Sequence, residues 1–293
     1  MTASRTALVT GANQGLGRAL AEGLAAGMST ADRVVLTGRR PDAVHAAAAA
    51  IAAAVPHGAR IEPRVLDVRD GPAIDALAAD LGGVDIVFSN AAARMGRDDR
   101  PVDQVDAVAE TNNLATTRVL RAFGPRLRPG GRLIVVASAL GTLDKLDPHV
   151  RPRFAAAAEA TLDAVDGVVA EWRAAVHAGR AVDEGYGAWL NIPSKVAQVA
   201  AVRAFARPRR RTDLAHRTLV AALCPGLIDT AASRPWFEDM SAAQTPTQAA
   251  AWPVELALGT TGDTVAAFHG ELVQFGTVVP WRTGRPVPHR ATT

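Results

Sequence analysis

Short apolar runs alternate with segments of helical periodicity along the whole chain. The runs fall at 7–10, 34–37, 61–66, 86–89, 132–137, 218–223 and 272–275. Between them, residues 17–26, 42–55, 72–81, 102–127, 193–205 and 247–258 carry their apolar positions at helical spacing. Alternation of this kind predicts βαβ units around a parallel sheet. Pro-Gly-Gly at 129–131 and Pro-Gly at 225–226 are expected turns. No internal repeat and no linker rich in Gly, Ser or Pro divides the chain, so residues 1–293 are expected to form a single domain.

One stretch departs from the alternation. Residues 140–185 separate the fifth expected strand from the helix that carries Lys195. Within it, 154–178 sets Leu162, Val165, Val168, Val169, Trp172 and Val176 at helical spacing. This is expected to be a helical insertion and not a disordered loop.

Composition narrows the functional classes. Hydrophobic residues make up 48% and charged residues 21%, as in ordinary soluble globular proteins. The longest apolar stretch, 46–55, is alanine-rich and shorter than the roughly 18 residues of a membrane span. The segment Thr6 to Thr10 leads straight into a glycine loop, with no basic leader and apolar core of a signal peptide. A lone cysteine, Cys224, leaves no internal disulfide and suits a reducing cytoplasm. The pI near 9.7 overstates a net charge of only +3, and the basic residues are arginine except for Lys145 and Lys195. Arg203, Arg207, Arg209, Arg210 and Arg211 cluster without a nucleic-acid motif, and are expected in a solvated loop after a helix. The expected partner is a small molecule, with no metal, nucleic acid or membrane.

The sharpest motif is Thr10-Gly11-Ala12-Asn13-Gln14-Gly15-Leu16-Gly17, which follows the first strand and opens the first helix. That context is what a dinucleotide loop requires. Gly11, Gly15 and Gly17 let the backbone turn tightly and approach a pyrophosphate, and the helix start offers it unpaired N–H groups. NAD-binding proteins place a carboxylate after the second strand to bond the ribose 2′-hydroxyl. Here the chain reads Thr37-Gly38-Arg39-Arg40. Two guanidiniums suit a 2′-phosphate, so NADP(H) is the expected cofactor.

The ordered set of Thr10–Gly17, Asp67-Val68, Ser89-Asn90-Ala91-Ala92, Asn112, Ser138, Lys195 and Pro225-Gly226…Thr230 resembles the short-chain dehydrogenase/reductase superfamily along most of the chain. The long segment before Lys195, the Glu184-Gly185 lead-in and the Cys224-Pro225-Gly226 turn resemble its monomeric carbonyl reductase branch. The resemblance implies a doubly wound Rossmann domain with seven parallel strands ordered 3-2-1-4-5-6-7. It places Asp67 and Val68 at the adenine, and Asn90, Ala91 and Ala92 near the ribose. Pro225, Gly226, Ile228 and Thr230 fall around the nicotinamide carboxamide. Ser138 would polarise a substrate oxygen, Lys195 would grip the nicotinamide ribose, and Asn112 would hold a water leading toward the lysine. A monomer is expected, because the insertion should cover the helices beginning near Val102 and Pro193.

The family's acid is a tyrosine four places before the lysine, and here that place holds Asn191. A carboxamide donates a hydrogen bond but does not give up a proton near neutral pH. The sole tyrosine, Tyr186, lies nine residues before Lys195 and could act only if its loop folds back. His149 and His177, in the insertion, are weaker candidates for an acid. Tyr186, Trp189, Trp236 and Phe237, with Met240 and Trp252, fall in segments expected to surround a bulky apolar substrate, and 231–258 is the expected substrate loop. The sequence therefore points to an NADPH-dependent reductase of a bulky carbonyl or conjugated enone, with Ser138, Asn191, Lys195 and Asn112 as an atypical catalytic set. Two alternatives stay open. One is a non-redox catalyst of secondary metabolism, such as a cyclase, dehydratase or pericyclase, that retains NADP; the other is an NADP(H)-sensing protein without turnover.

Overall fold

The computed structural model describes residues 4–259, 261–283 and the strand at 287–288. Its strands are β1 (Thr6–Val9), β2 (Arg33–Gly38), β3 (Arg60–Val65), β4 (Val84–Ser89), β5 (Leu127–Val136), β6 (Leu219–Leu223), β7 (Leu272–Gln274), β8 (Thr277–Val279) and β9 (Val287–Pro288). They form one sheet ordered β3-β2-β1-β4-β5-β6-β7-β8-β9. The pairings from β3 through β7 are parallel, in the expected order. The expected seven-stranded parallel sheet needs one correction, because β8 and β9 extend it antiparallel. The β7–β8 hairpin closes on Phe275 and Gly276, with φ of 46° and 74°. Both values are positive, as in the mirror-type turns that match strand twist. A phenylalanine at the first position gives no sequence signal of such a turn.

The helices are α1 (Gly15–Gly27), α2 (Pro41–Ala54), α3 (Gly71–Leu81), α4 (Pro101–Val108), α5 (Ala115–Phe123), α6 (Arg151–Glu159), α7 (Leu162–His177), α8 (Asn191–Ala215), α9 (Pro246–Gly259) and α10 (Gly262–Phe268). Alternate strand residues feed two cores. Leu8, Val35, Val87 and Val135 face α3 to α8, whereas Val9, Leu36, Phe88 and Ile134 face α1, α2, α9 and α10. Burial on both faces explains why the strands read as continuous apolar runs.

Three local expectations change. The helix expected over 102–127 is interrupted by a π-helical turn, Ala109–Leu114, between α4 and α5. The Pro-Gly-Gly at 129–131 lies inside β5, where pairing steps from Val84↔Leu127 to Ile86↔Arg132, so 128–131 bulge out opposite Asp85. The arginine cluster is not a loop, because α8 runs on through Pro208 to Ala215. There Arg203 pairs with Glu271 at 2.6 Å and Arg209 with Asp213 at 3.0 Å. Arg210 donates to the carbonyls of His269 and Ala266, and Arg207 to that of Glu159. Arg203, Arg207 and Arg210 stitch α8 to its neighbours, and Arg209 braces the helix internally.

The insertion is helical as expected, but in two pieces. Thr161 restarts the chain as α7 by accepting the Ala164 N–H at 3.2 Å. Trp172, fully buried, anchors α7 in the core it shares with α8. Among the described residues, no helix is long and apolar enough to cross a membrane.

Candidate active site

The carboxyl ends of β1, β2, β4, β5 and β6 bring the expected site residues together. At the β1–α1 turn, Gly11 has φ of 64°, and a Cβ there would lie 2.8 Å from the Ala91 backbone. At Gly17 a Cβ would collide with the Gly11 carbonyl oxygen and with the Asn90 amide nitrogen. Gln14, the residue before α1, gives its helix no side-chain cap. The first N–H groups of α1 are thus left for an anion. Leu16 is buried beneath the turn, and the Asn13 side chain lies against Gly38 at the end of β2.

Asn90 serves this turn directly. Its amide donates to the carbonyls of Thr10 at 2.9 Å and Gly11 at 3.3 Å. Thr10 Oγ1 accepts the N–H groups of Asn90 and Ala91 in return. Ala92 beside them is exposed. Arg39 and Arg40 are exposed and make no salt bridge among the described residues. Arg69 hydrogen-bonds Asp67 at 2.6 Å and holds its carboxyl below the usual range; burial opposes that shift and Arg39 adds to it. Val68 is buried next to it. The loop Pro225–Gly226–Leu227–Ile228–Asp229–Thr230 returns over the turn, and the Thr230 methyl is the nearest group to Gly15. An uncapped helix start, close-packed glycines and two exposed guanidiniums fit a dinucleotide carrying an extra phosphate.

Deeper in the cleft, Ser138 ends β5 and accepts the Leu140 N–H at 3.2 Å. Asn191 and Lys195 lie four residues apart at the start of α8, on one helical face. The Asn191 amide makes no hydrogen bond among the described residues. Lys195 Nζ donates to the Val136 carbonyl at 3.3 Å and to Gln198 Oε1 at 2.8 Å. Gln198 Nε2 donates to Thr116 Oγ1 at 3.2 Å, and Thr116 to the Asn112 carbonyl at 2.6 Å. The side chain of Asn112 is engaged elsewhere: Oδ1 accepts the Ala93 N–H at 2.8 Å and Nδ2 donates to Ser194 Oγ at 3.2 Å. Among the described residues, Lys195 and the Asn112 carbonyl are thus linked through Gln198 and Thr116.

Burial pushes the Lys195 ammonium down from 10.5 to about 8, weakly opposed by the Cys224 thiol. The thiol itself is raised by burial, against hydrogen bonds from the N–H groups of Gly226 and Ala139. Gln198, Thr116, Ser194 and Cys224 escape the sequence reading. Gln198 had left one sign, a lone amide within the buried apolar run of α8, three residues past Lys195.

Tyr186 does not fold back toward Lys195. It is 1% exposed, packs edge-on against Phe154 at 6.3 Å, and its hydroxyl accepts from Arg153 of α6 at 3.4 Å. Burial raises its phenol further. His149 is exposed, and His177 bonds Asp106 of α4 at 2.7 Å on the outer surface. Trp189 stacks on Trp236 with ring centres 5.5 Å apart, and Phe237 is 42% exposed nearby in sequence. Met240 is half-buried in the same loop. Trp252, expected among the substrate residues, instead packs against Phe268 in the core beneath α1 and α9.

A family model of the short chain dehydrogenases matches residues 5–169. The chain belongs to that family. This short-chain dehydrogenase is 30% identical to carbonyl reductase (NADPH) 3 of Mus musculus over 95% of its own length and 99% of that protein. It is 29% identical to carbonyl reductase (NADPH) 1 of Sus scrofa, over 95% and 94% of the two chains. Among solved structures, salutaridine reductase from Papaver somniferum superposes with a TM-score of 0.75 at 20% identity, over 92% of this chain and 99% of that one. That likeness establishes the fold.

The Lys195 environment has a consequence for stability. Its folded value lies below the unfolded one, so between about pH 8 and 10.5 the unfolded chain binds the extra proton. Stability gains from this group as pH rises through that window, by at most roughly 3 kcal/mol. Urea unfolding of the native protein and of Lys195→Met at pH 7.5 and pH 10 checks this. The native protein should gain relative to the variant, and equal changes would refute the burial cost.

Proposed function

We propose that this protein is an NADPH-dependent reductase of a bulky apolar carbonyl or conjugated enone that works without a tyrosine acid. The reading rests on one juxtaposition. Asn191, its amide unengaged, stands one helical turn before Lys195, in the place where the family carries its tyrosine. The relatives named for NADPH support the cofactor, and a cytoplasmic protein suits it. When bound, NADPH supplies a hydride. Arg39 and Arg40 would hold its 2′-phosphate, Asp67 the adenine and Lys195 the nicotinamide ribose. Pro225, Gly226, Ile228 and Thr230 would flank the carboxamide.

Ser138 and Asn191 then act on the substrate. The hydroxyl and the carboxamide both donate to one oxygen, and their bonds strengthen as negative charge develops there. The Trp189–Trp236 stack and Phe237 offer an apolar wall suited to a flat, bulky body. The same clamp on one oxygen would also serve a non-redox cyclase, dehydratase or pericyclase, and a hydride-transfer assay with ketone and enone panels separates the two. Pure sensing is the weaker alternative, because a site without turnover has no physical need for Asn112, Ser138 and Lys195 together.

Arg39→Ala should weaken NADPH by about tenfold or more and leave NADH nearly unchanged, since a charge-assisted contact to the 2′-phosphate is lost. Fluorescence titration with both cofactors reads this directly, and equal effects on the two would sink the assignment.

Asn191→Tyr should place a proton donor one turn before Lys195. Steady-state NADPH oxidation on simple ketones should rise by about 10²–10⁴-fold, the usual worth of general acid catalysis, while the native reaction falls as the phenol crowds its substrate. A native protein that already reduces simple ketones well, with no gain in the variant, would contradict the reading.

α6 and α7 pack on α8, and α7 also on α4. We infer a monomer from that cover, and light scattering should find one. A stable dimer built on α4 and α8 would count against it.

A further inference from the structure

We propose that Lys195 is itself the acid of this site, and that its ammonium delivers the proton to the substrate oxygen held by Ser138 and Asn191. The assignment rests on the reductase reading above. A reduction needs a proton as well as a hydride, and the other titratable side chains are placed elsewhere. Tyr186 is bound to Arg153 inside the insertion, and His177 is bound to Asp106 on the outer surface. Cys224 lies behind Lys195 at the end of β6, its sulfur receiving the N–H groups of Gly226 and Ala139. Lys195 shares a helical face with Asn191, one turn away.

An ammonium has three N–H bonds. Two are directed at the Val136 carbonyl and at Gln198 Oε1. The third makes no bond among the described residues and would serve the cofactor side, where the ribose hydroxyls and the substrate oxygen would share it. Burial loosens the proton relative to a surface lysine, which favours its transfer.

Gln198 accepts from Lys195 with its oxygen and donates to Thr116 with its nitrogen. A carboxamide oxygen carries no proton and its NH₂ does not ionise in this range, so the chain to Asn112 holds position but does not relay. Lys195 must be recharged through the open cleft. The step balances as follows. The substrate carbon gains the hydride that NADPH supplies, the π pair moves to oxygen, and an O–H bond forms as an N–H bond of Lys195 breaks. Reduced product, NADP⁺ and a neutral amine remain, and the amine takes a proton from water once the product has left.

Lys195 bonds the Val136 carbonyl of β5 and Gln198 of its own helix, with Thr116 and the Asn112 carbonyl behind Gln198 and Cys224 of β6 near enough to act on its charge. Of these only Cys224 titrates, and burial keeps its thiol protonated at neutral pH.

Lys145 and Lys195 are the only lysines, so competitive acetylation with peptide mass spectrometry follows both, with and without NADPH. Lys195 should lose its proton with a midpoint near pH 8, with exposed Lys145 as the internal reference. Single-turnover hydride transfer should fall tenfold per pH unit above that midpoint. Lys195→Arg keeps a cation for the ribose but does not ionise. Measured at saturating NADPH, hydride transfer should drop by about 100-fold or more. Gln198→Leu removes an acceptor from the ammonium and should move both midpoints to lower pH together; it decides the matter if Lys195→Arg does not fold. Near-native hydride transfer by Lys195→Arg would overturn the assignment and leave the reductase reading standing. So would a rate limb that stays put in Gln198→Leu while the labelling midpoint moves. A native protein that binds NADPH but transfers hydride to no carbonyl or enone would remove the reductase reading and this assignment together.

Discussion

A cation taken out of water must be solvated by the protein, and four elements converge on Lys195 to do so. β5 ends with a carbonyl aimed at its Nζ, α8 supplies Gln198 one turn on, α5 supplies Thr116, and the π turn supplies the Asn112 carbonyl. The links beyond Lys195, from Gln198 to Thr116 and from Thr116 to Asn112, are buried, so neither is replaced by solvent without cost. The irregular helix fits this demand. A π turn rotates the residues after it relative to a regular helix, and here it lets one asparagine engage Ala93, Ser194 and Thr116 at once. The glycine turn, by contrast, is held by apolar contact and by Asn90.

Much of the frame was legible because the physics that shapes it is local. Strands buried on both faces leave continuous apolar runs, and the glycine turn leaves its residues between a strand and a helix. Lys195, Asn191 and Ser138 were picked out by resemblance to the family's pattern. What escaped depends on neighbours far away in sequence. Gln198 meets Thr116 only because α8 crosses α5, and the two lie 82 residues apart. The arginine cluster read as a loop because Pro208 signals a break, yet the helix continues where Arg209, Arg210 and Asp213 tie it down. Tyr186 illustrates the reverse. Its offset from Lys195 argued against a shared face, and the structure sends its hydroxyl to Arg153.

The aromatic residues divide in the same way. Trp189 and Trp236 stack although they lie on separate loops, whereas Trp252, in the segment expected around the substrate, serves the opposite core. A segment's place along the chain does not fix the side of the sheet on which its side chains end. Helix phase decides that, and in α9 the phase points Trp252 toward Phe268.

Trp281 ties together parts of the fold that lie far apart in sequence. Leu143, at the base of the insertion, donates its N–H to the Trp281 carbonyl at 2.7 Å, and Arg203 of α8 lies over the Trp281 ring. Synthesis runs from the N-terminus, so β1 to β5 can assemble while the last segment is still being made. The insertion can collapse onto α8 earlier, but its base is pinned only when Trp281 arrives. Contacts this distant in sequence form late, because the intervening loop must first be closed. The base of the insertion is thus expected to set after the glycine turn, whose contacts are made by segments earlier in the chain.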